Sequence, residues 1–212
     1  GYDPSDAVTY AWLAQAMIAT VYAFSWFEVA LRIRSGDIAT DLARPLDPLR
    51  YWLAYDLGRA LYHLVFRGIA PFAIGMLFFD VRLPEEPVTW LWLAPTIALA
   101  VTVSFAYRFL YNLTSFWTLD HRGVALIAVT TAMRVAGFIL PLPFFPDWLE
   151  AVARVLPFAA MVQIPVDVFL EKTTGAEVVA LLLLQAMWAV ILLGIARLVL
   201  GTAIRRVVVQ GG

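Results

Sequence analysis

Few residues in this chain could carry covalent chemistry. There are two histidines, His63 and His121, and no cysteine. Without cysteine there is no disulfide, no thiolate nucleophile and no Cys-type zinc site. No H-E-x-x-H, Walker A, G-x-G-x-x-G or G-x-S-x-G pattern occurs, so no familiar loop for ATP, dinucleotide, metal or acyl chemistry is present. The notable residues are charges set in apolar surroundings: Glu28, Asp56, Arg59, Arg67, Arg108 and Arg134. Such groups can pair with one another, line a path for an anion, or pass protons. Asp56 and Arg59 lie on one helical turn, as do Glu28 and Arg32, so pairing is open to both. His63 follows Asp56 by seven residues and can share its helix face. A proton relay through the two is conceivable, and a polar interhelical contact is the simpler role. Asp56, Arg59, His63, Arg67 and Arg134 are the candidates for a polar path or for intramembrane contacts. No catalytic residue and no metal ligand is assigned.

Long apolar elements must position these charges. Uncharged runs cover residues 7–27, 88–107 and 178–196, each close to the 20 or so residues that cross about 30 Å of hydrocarbon as a helix. Hydrophobic residues make up 62% of the 212, eight of them Trp, and the mean hydropathy is +0.81. That surface does not suit a soluble domain. The net charge of -1 excludes a basic nucleic-acid binder. The fold expected is an all-α polytopic transmembrane bundle, a single domain over residues 1–212. Five spans can be drawn, at about 7–31, 49–79, 88–118, 124–140 and 177–200. Pro71 should bend the second, and Asp6 reads as the N-cap of the first. Trp12, Trp26, Trp52, Trp90, Trp92, Trp117 and Trp148 fall mostly near span ends, as an interfacial belt would.

Charge orients the spans. One set of ends carries Arg32, Arg34, Arg44, Arg50, Arg122, Arg205 and Arg206, and the other is rich in Asp and Glu. By the positive-inside bias the first set is cytoplasmic, which puts Gly1 outside and the C-terminus inside. The odd span count and the Gly start lead to the expectation of one further span upstream, six in the full subunit. His121 falls in a tight cytoplasmic turn. Residues 141–175 form a long but apolar connector that prolines cut into short helices, fit for the outer interface or for a dip packed on protein.

The first cytoplasmic link is the most distinctive segment. Gly36 can turn the chain, Asp37 can favour a short helix's first turn, Ile38 and Leu42 share a face with Asp41 beside them, and Pro45 stops the element. This makes a short amphipathic helix. It either covers the bundle or fits a groove on a cytoplasmic partner.

These residues carry a resemblance. Gly36-Asp37-Ile38-Ala39 with Asp41-Leu42 and Arg44-Pro45, Asp56-Leu57-Gly58-Arg59, Pro143-Phe144-Phe145-Pro146, Gln163-Ile164-Pro165-Val166-Asp167 and the tail from Arg205 to Gly212 occur in an order and spacing that resembles the membrane subunits of bacterial type-2 ABC exporters. The nearest branch is that of the viologen-exporter-like permeases. The resemblance implies an inner-membrane permease with a cytoplasmic coupling helix and short external helices before the last span. It implies no cofactor in this chain: ATP and Mg would be bound by a partner ATPase dimer. A second permease, a different but related chain, is implied as well. Arg34, Gly36, Asp37, Ile38, Asp41, Leu42 and Arg44 would then form the coupling contact, although Arg34 and Arg44 could equally meet lipid phosphates. The alternatives are a membrane scaffold without transport and, more remotely, an intramembrane lipid-modifying enzyme.

Overall fold

A computed structural model describes residues 3–21, 26–118 and 122–205. Among the described residues every regular element is helical. Three proline-led starts launch the main helices, because proline at the first position loses no hydrogen bond and its φ is already helical. Helix α1, Pro4–Thr20, is opened by a reciprocal capping box. The Asp3 carboxylate accepts the Asp6 N–H at 2.8 Å, and Asp6 accepts the Asp3 N–H at 3.0 Å. The cap is therefore Asp3, not Asp6, because Asp6 lies three residues inside and completes the box.

The expected first span is broken. Helix α1 stops at Thr20, and a separate helix α2, Glu28–Ser35, begins after the interruption. A five-residue helix α3, Ile38–Leu42, follows the link glycine. Helix α4, Pro48–His63, is capped by Asp47, whose carboxylate accepts the Arg50 N–H at 3.0 Å. It runs into π-helical turns over Leu64–Ile69 and then into helix α5, Ala70–Gly75. Pro71 is the second residue past this widened stretch. Proline removes one N–H and crowds the carbonyl four residues back, and the wider turn before it accommodates both.

Helix α6, Pro87–Leu113, is followed by the short helix α7, Ser115–Thr118. Helix α8 covers Arg122–Val135 and ends earlier than the expected fourth span. Asp120, His121 and the tail beyond Arg205 lie outside the described residues. The connector 141–175 is cut as its prolines suggested, into a 3-10 turn at Leu142–Phe144, helix α9 at Asp147–Val155, a 3-10 turn at Ala159–Met161 and helix α10 at Gln163–Phe169. Helix α11, Ala176–Ile204, closes the fold. Among the described residues, two stretches are long and apolar enough to cross a membrane: Pro87–Thr118 and Ala176–Ile204.

Helix α6 is the central post. It packs on α11, α10, α4, α2 and α8, while α1 packs on α4, the π turns and α5. One core, around Tyr10, Met17, Val103, Met161, Val166 and Phe169, fills the connector end. A second core, rich in aromatics, gathers Trp26, Trp52, Phe105, Phe109 and Leu113 beside the link. Helix α10 is buried along its whole length, whereas Phe144, Trp148, Val152 and Val155 earlier in the connector are exposed.

Candidate functional site

The link is built as a turn on a brace. Gly36 ends α2 in the left-handed region at φ 85°, which a side chain rarely adopts. The chain reverses there and enters α3. Arg32 clamps Asp41 through two charge-assisted hydrogen bonds, Nε to Oδ2 at 2.5 Å and Nη2 to Oδ1 at 2.8 Å. Arg44 stands 3.9 Å from the same carboxylate. Ile38 is buried in the aromatic core. The outward surface is left to Arg34, Ser35, Gly36, Asp37, Thr40 and Arg44. Asp37 accepts the Ser35 hydroxyl at 2.6 Å and makes no side-chain cap to α3. Beside it an open hollow is lined by Glu28, Leu31, Arg32, Arg34, Ser35 and Asp37. Of the seven residues the sequence points to, Arg34, Gly36, Asp37 and Arg44 are exposed, Leu42 is half-buried, and Ile38 and Asp41 face inward to hold the helix.

Directly above lies a buried charge cluster. Asp56, fully buried on α4, accepts from Arg59 at 2.9 Å and from Arg108 of α6 at 2.7 and 3.2 Å. Arg59 also donates to the Ala19 and Thr20 carbonyls, at 3.1 Å each, so its charge sits on the C-terminal end of α1, where the helix dipole favours a cation. Arg108 further meets the Ser104 hydroxyl at 3.2 Å, and that hydroxyl donates to the Val21 carbonyl at 2.7 Å. Asn112 accepts the Ala30 N–H at 3.0 Å and donates to the Trp26 carbonyl at 2.8 Å. The Ala19, Thr20, Val21 and Trp26 carbonyls and the Ala30 N–H, on either side of the break, are thus met by side chains of α4 and α6.

Cluster and brace are joined by rings. The Arg108 guanidinium lies 5.4 Å from the Trp26 ring centre, the Trp26 and Trp52 rings meet edge to face at 5.8 Å, and Arg32 lies 5.9 Å from the Trp52 ring. Contacts of charge and π-face therefore run unbroken from Asp41 on the link to Asp56 in the bundle.

The other sequence candidates are not gathered there. His63 stays half-buried on α4 and packs edge to face on Tyr62 at 5.5 Å. Arg67 is exposed on the π turns. Arg134 is exposed in the last turn of α8 rather than mid-span, because that helix stops at Val135. Arg108, marked in the sequence only as a charge in apolar surroundings, belongs to the cluster, and Ser104 and Asn112 join it. The signal was there: Ser104, Arg108 and Asn112 recur every fourth residue, one polar stripe on an apolar helix.

A second polar hub closes the connector end. Gln163, fully buried, accepts the Leu142 N–H at 3.0 Å and donates to Asp167 at 2.8 Å, and Arg154 bridges Asp167 at 3.0 Å and Glu150 at 2.7 Å. The Tyr10 hydroxyl donates to the Gly137 carbonyl at 2.6 Å. Lys172 and Arg82 both reach the buried Asp6, Arg82 at 3.5 Å. Glu171 accepts the N–H groups of Glu85 and Glu86 and the Thr89 hydroxyl, which caps α6 from another segment. These contacts fasten helices to one another and offer no reactive group.

The arrangement as a whole has a braced surface helix, a buried relay of rigid contacts behind it, and no catalytic constellation among the described residues. The model of the family described as "ABC-2 family transporter protein" matches residues 1–211. Neither curated proteins nor solved structures offer a match. The chain belongs to the ABC-2 family of transporter proteins, the membrane permease components of ABC transporters.

Proposed function

We propose that this chain is the permease subunit of an ATP-driven exporter, moved by a separate cytoplasmic ATPase dimer that binds ATP and Mg. The observation that carries this reading is the brace under α3. A push on Arg34, Asp37 or Arg44 reaches the bundle through Asp41, Arg32, Trp52, Trp26 and Arg108 without crossing a flexible joint. A helix held in that way transmits a rigid-body displacement, where a free loop would absorb it. The hollow beside Asp37, with exposed Leu31 between charged residues, suits a partner side chain of mixed character.

In this reading five spans are threaded. They are α1 with α2, the rod from α4 through α5, α6 with α7, α8, and α11, with the link and the C-terminus on the cytoplasmic face. A second, related permease covers the outward face of α4 and the π turns, where Tyr51, Tyr55, Tyr62 and Phe66 are exposed with Arg67 nearby. Tyrosine hydroxyls and a guanidinium are poorly served by lipid tails and well served by another protein. The viologen-exporter-like branch is the finer assignment that the sequence motifs favour.

The test is purification of the full-length protein from its native membrane, followed by assay of the complex. A co-purifying ATP-binding subunit is expected. Asp37→Ala with Leu42→Ala should leave insertion intact and uncouple hydrolysis from transport. Normal coupled export by that double variant, at wild-type expression, would sink the coupling assignment.

A further inference from the structure

A cavity of about 400 Å³ lies between α1, the π turns with α5, α6 and α10, away from both the link and the charge cluster. Its inner wall is Met17, Leu64, Gly68, Phe72, Leu93 and Phe169, and its mouth is formed by exposed Ala73, Met76, Leu83 and Trp90. No charged side chain lines it. From Leu64 to Met76 the lining follows one helix for twelve residues, a rise of about 18 Å at α-helical spacing.

Chemistry narrows the occupant. An ordered water needs two to four polar partners, which this lining does not offer. A void left empty forfeits the contacts of every atom around it. The volume falls in the range of sites for small ligands. The π turns widen the helix where Leu64 and Gly68 face the space. Gly68 brings the backbone to its wall, and a Cβ there would make only ordinary contact, at 3.5 Å, with Ala16 and the Leu64 side chain. The mouth lies on the outer surface of a protein of a membrane family.

We infer that this cavity is a binding site for a single hydrocarbon chain, the acyl tail of a lipid or a free long-chain fatty acid. The inference rests on the membrane setting of the permease reading but needs no ATPase, so the two can fail separately.

The experiment uses purified full-length protein in lipid nanodiscs, without nucleotide or partner ATPase. It is exposed either to a diazirine-bearing long-chain fatty acid or to a phosphatidylethanolamine carrying the same chain. After photolysis, labelled peptides are mapped by mass spectrometry. Label concentrated on the cavity walls of α1, α5, α6 and α10 is expected with at least one probe, and the probe that succeeds names the source. Ala73→Phe, placed at the exposed mouth where folding is least disturbed, should cut that labelling tenfold or so, the scale on which added bulk in an apolar pocket acts. Leu183→Phe on the exposed face of α11 should not change it. Label spread evenly over the outer faces, or cavity labelling indifferent to Ala73→Phe, would overturn the assignment. So would an unlabelled cavity combined with loss of subunit association in Ala73→Phe, which would give the space to a neighbouring protein's side chain.

Discussion

Asp56 and Arg108 stand 52 positions apart in the chain and meet through both carboxylate oxygens at 2.7 and 3.2 Å, fully buried. Arg59 shares the same carboxylate. One anion thus holds two cations, and its removal should cost more than the removal of either cation. Asp56→Ala is expected to destabilise the protein by about 3–5 kcal/mol, since two guanidinium groups lose their partner in a dry interior. Asp56→Leu with Arg108→Leu should recover much of that loss, because a buried pair replaced by apolar residues leaves no orphan charge. Thermal unfolding in detergent measures both. A neutral Asp56→Ala would mean that water or lipid headgroups already serve the arginines.

The link should separate into holding and touching residues. Asp41→Ala removes the Arg32 clamp and is expected to lower stability by about 1–3 kcal/mol, the usual cost of leaving a partner unsatisfied. Arg34→Glu alters only exposed charge, so its melting temperature should match the wild type. In the assembled complex, however, Arg34→Glu should depress transport-coupled ATPase activity. Equal loss of stability in the two variants would contradict this division.

Gly137 is fixed by geometry. Its φ of 89° is left-handed, and a Cβ there would stand 2.4 Å from the Tyr10 hydroxyl and 2.8 Å from the Gln163 side-chain oxygen. Gly137→Ala should cost about 2 kcal/mol or more, from backbone strain together with overpacking. Gly194→Ala, on an exposed face of α11 with nothing near its Cβ, should be neutral or stabilising by up to about 1 kcal/mol. Parallel melting curves of the two alanine variants decide it.

Acid should loosen the helix starts together. The Arg50 N–H, with Arg197 beside it, holds the Asp47 carboxyl below its ordinary 3.8. The Asp6 N–H and the Ser5 hydroxyl do the same for Asp3. Burial pushes Glu171 up, but the N–H groups of Glu86 and Glu85 and the Thr89 hydroxyl outweigh it and leave the group below 4.5. A depressed carboxylate contributes fully above its unfolded value, and the contribution fades as the pH falls through the folded one. The melting temperature is therefore expected to be flat above about pH 5 and to drop progressively below about pH 4. Asp47→Asn should shrink that drop, and an unchanged acid profile in this variant would argue against the cap.

What could be read from the sequence depended on range. Apolar runs marked α6 and α11, and prolines marked the cuts in the connector, because both signals are local. The pairing of Asp56 with Arg59 was legible because three residues on a helix make one turn. The break after Thr20 was not. Residues 7–27 carry no charge, and hydropathy alone continues a helix through them. The groups that satisfy the broken backbone, Arg59, Ser104 and Asn112, come from segments 39 to 86 positions away. Asp41 shows the same limit. Its place beside Ile38 and Leu42 suggested a solvent-facing contact, and only the approach of Arg32 turns it inward. The expected span 124–140 carried the helix past Arg134 because Ala136 to Leu140 look helical by composition, yet α8 stops at Val135 and Gly137 enters the left-handed region.

The π turns at Leu64–Ile69 have a consequence for register. One residue beyond α-helical count rotates everything after it by about 100° relative to everything before. Tyr51, Tyr55 and Tyr62 can therefore look outward from the first part of the rod while Phe72, on the second part, looks inward to Phe169, whose ring it meets edge to face at 5.6 Å. One run of turns thus serves two neighbours. Deleting one residue within 64–69 would restore a uniform helix, keep the rod's length within about 1.5 Å, and swing Phe72 away from α10. The inner half of the permease would then lose its fit while the outer tyrosine stripe stayed in place.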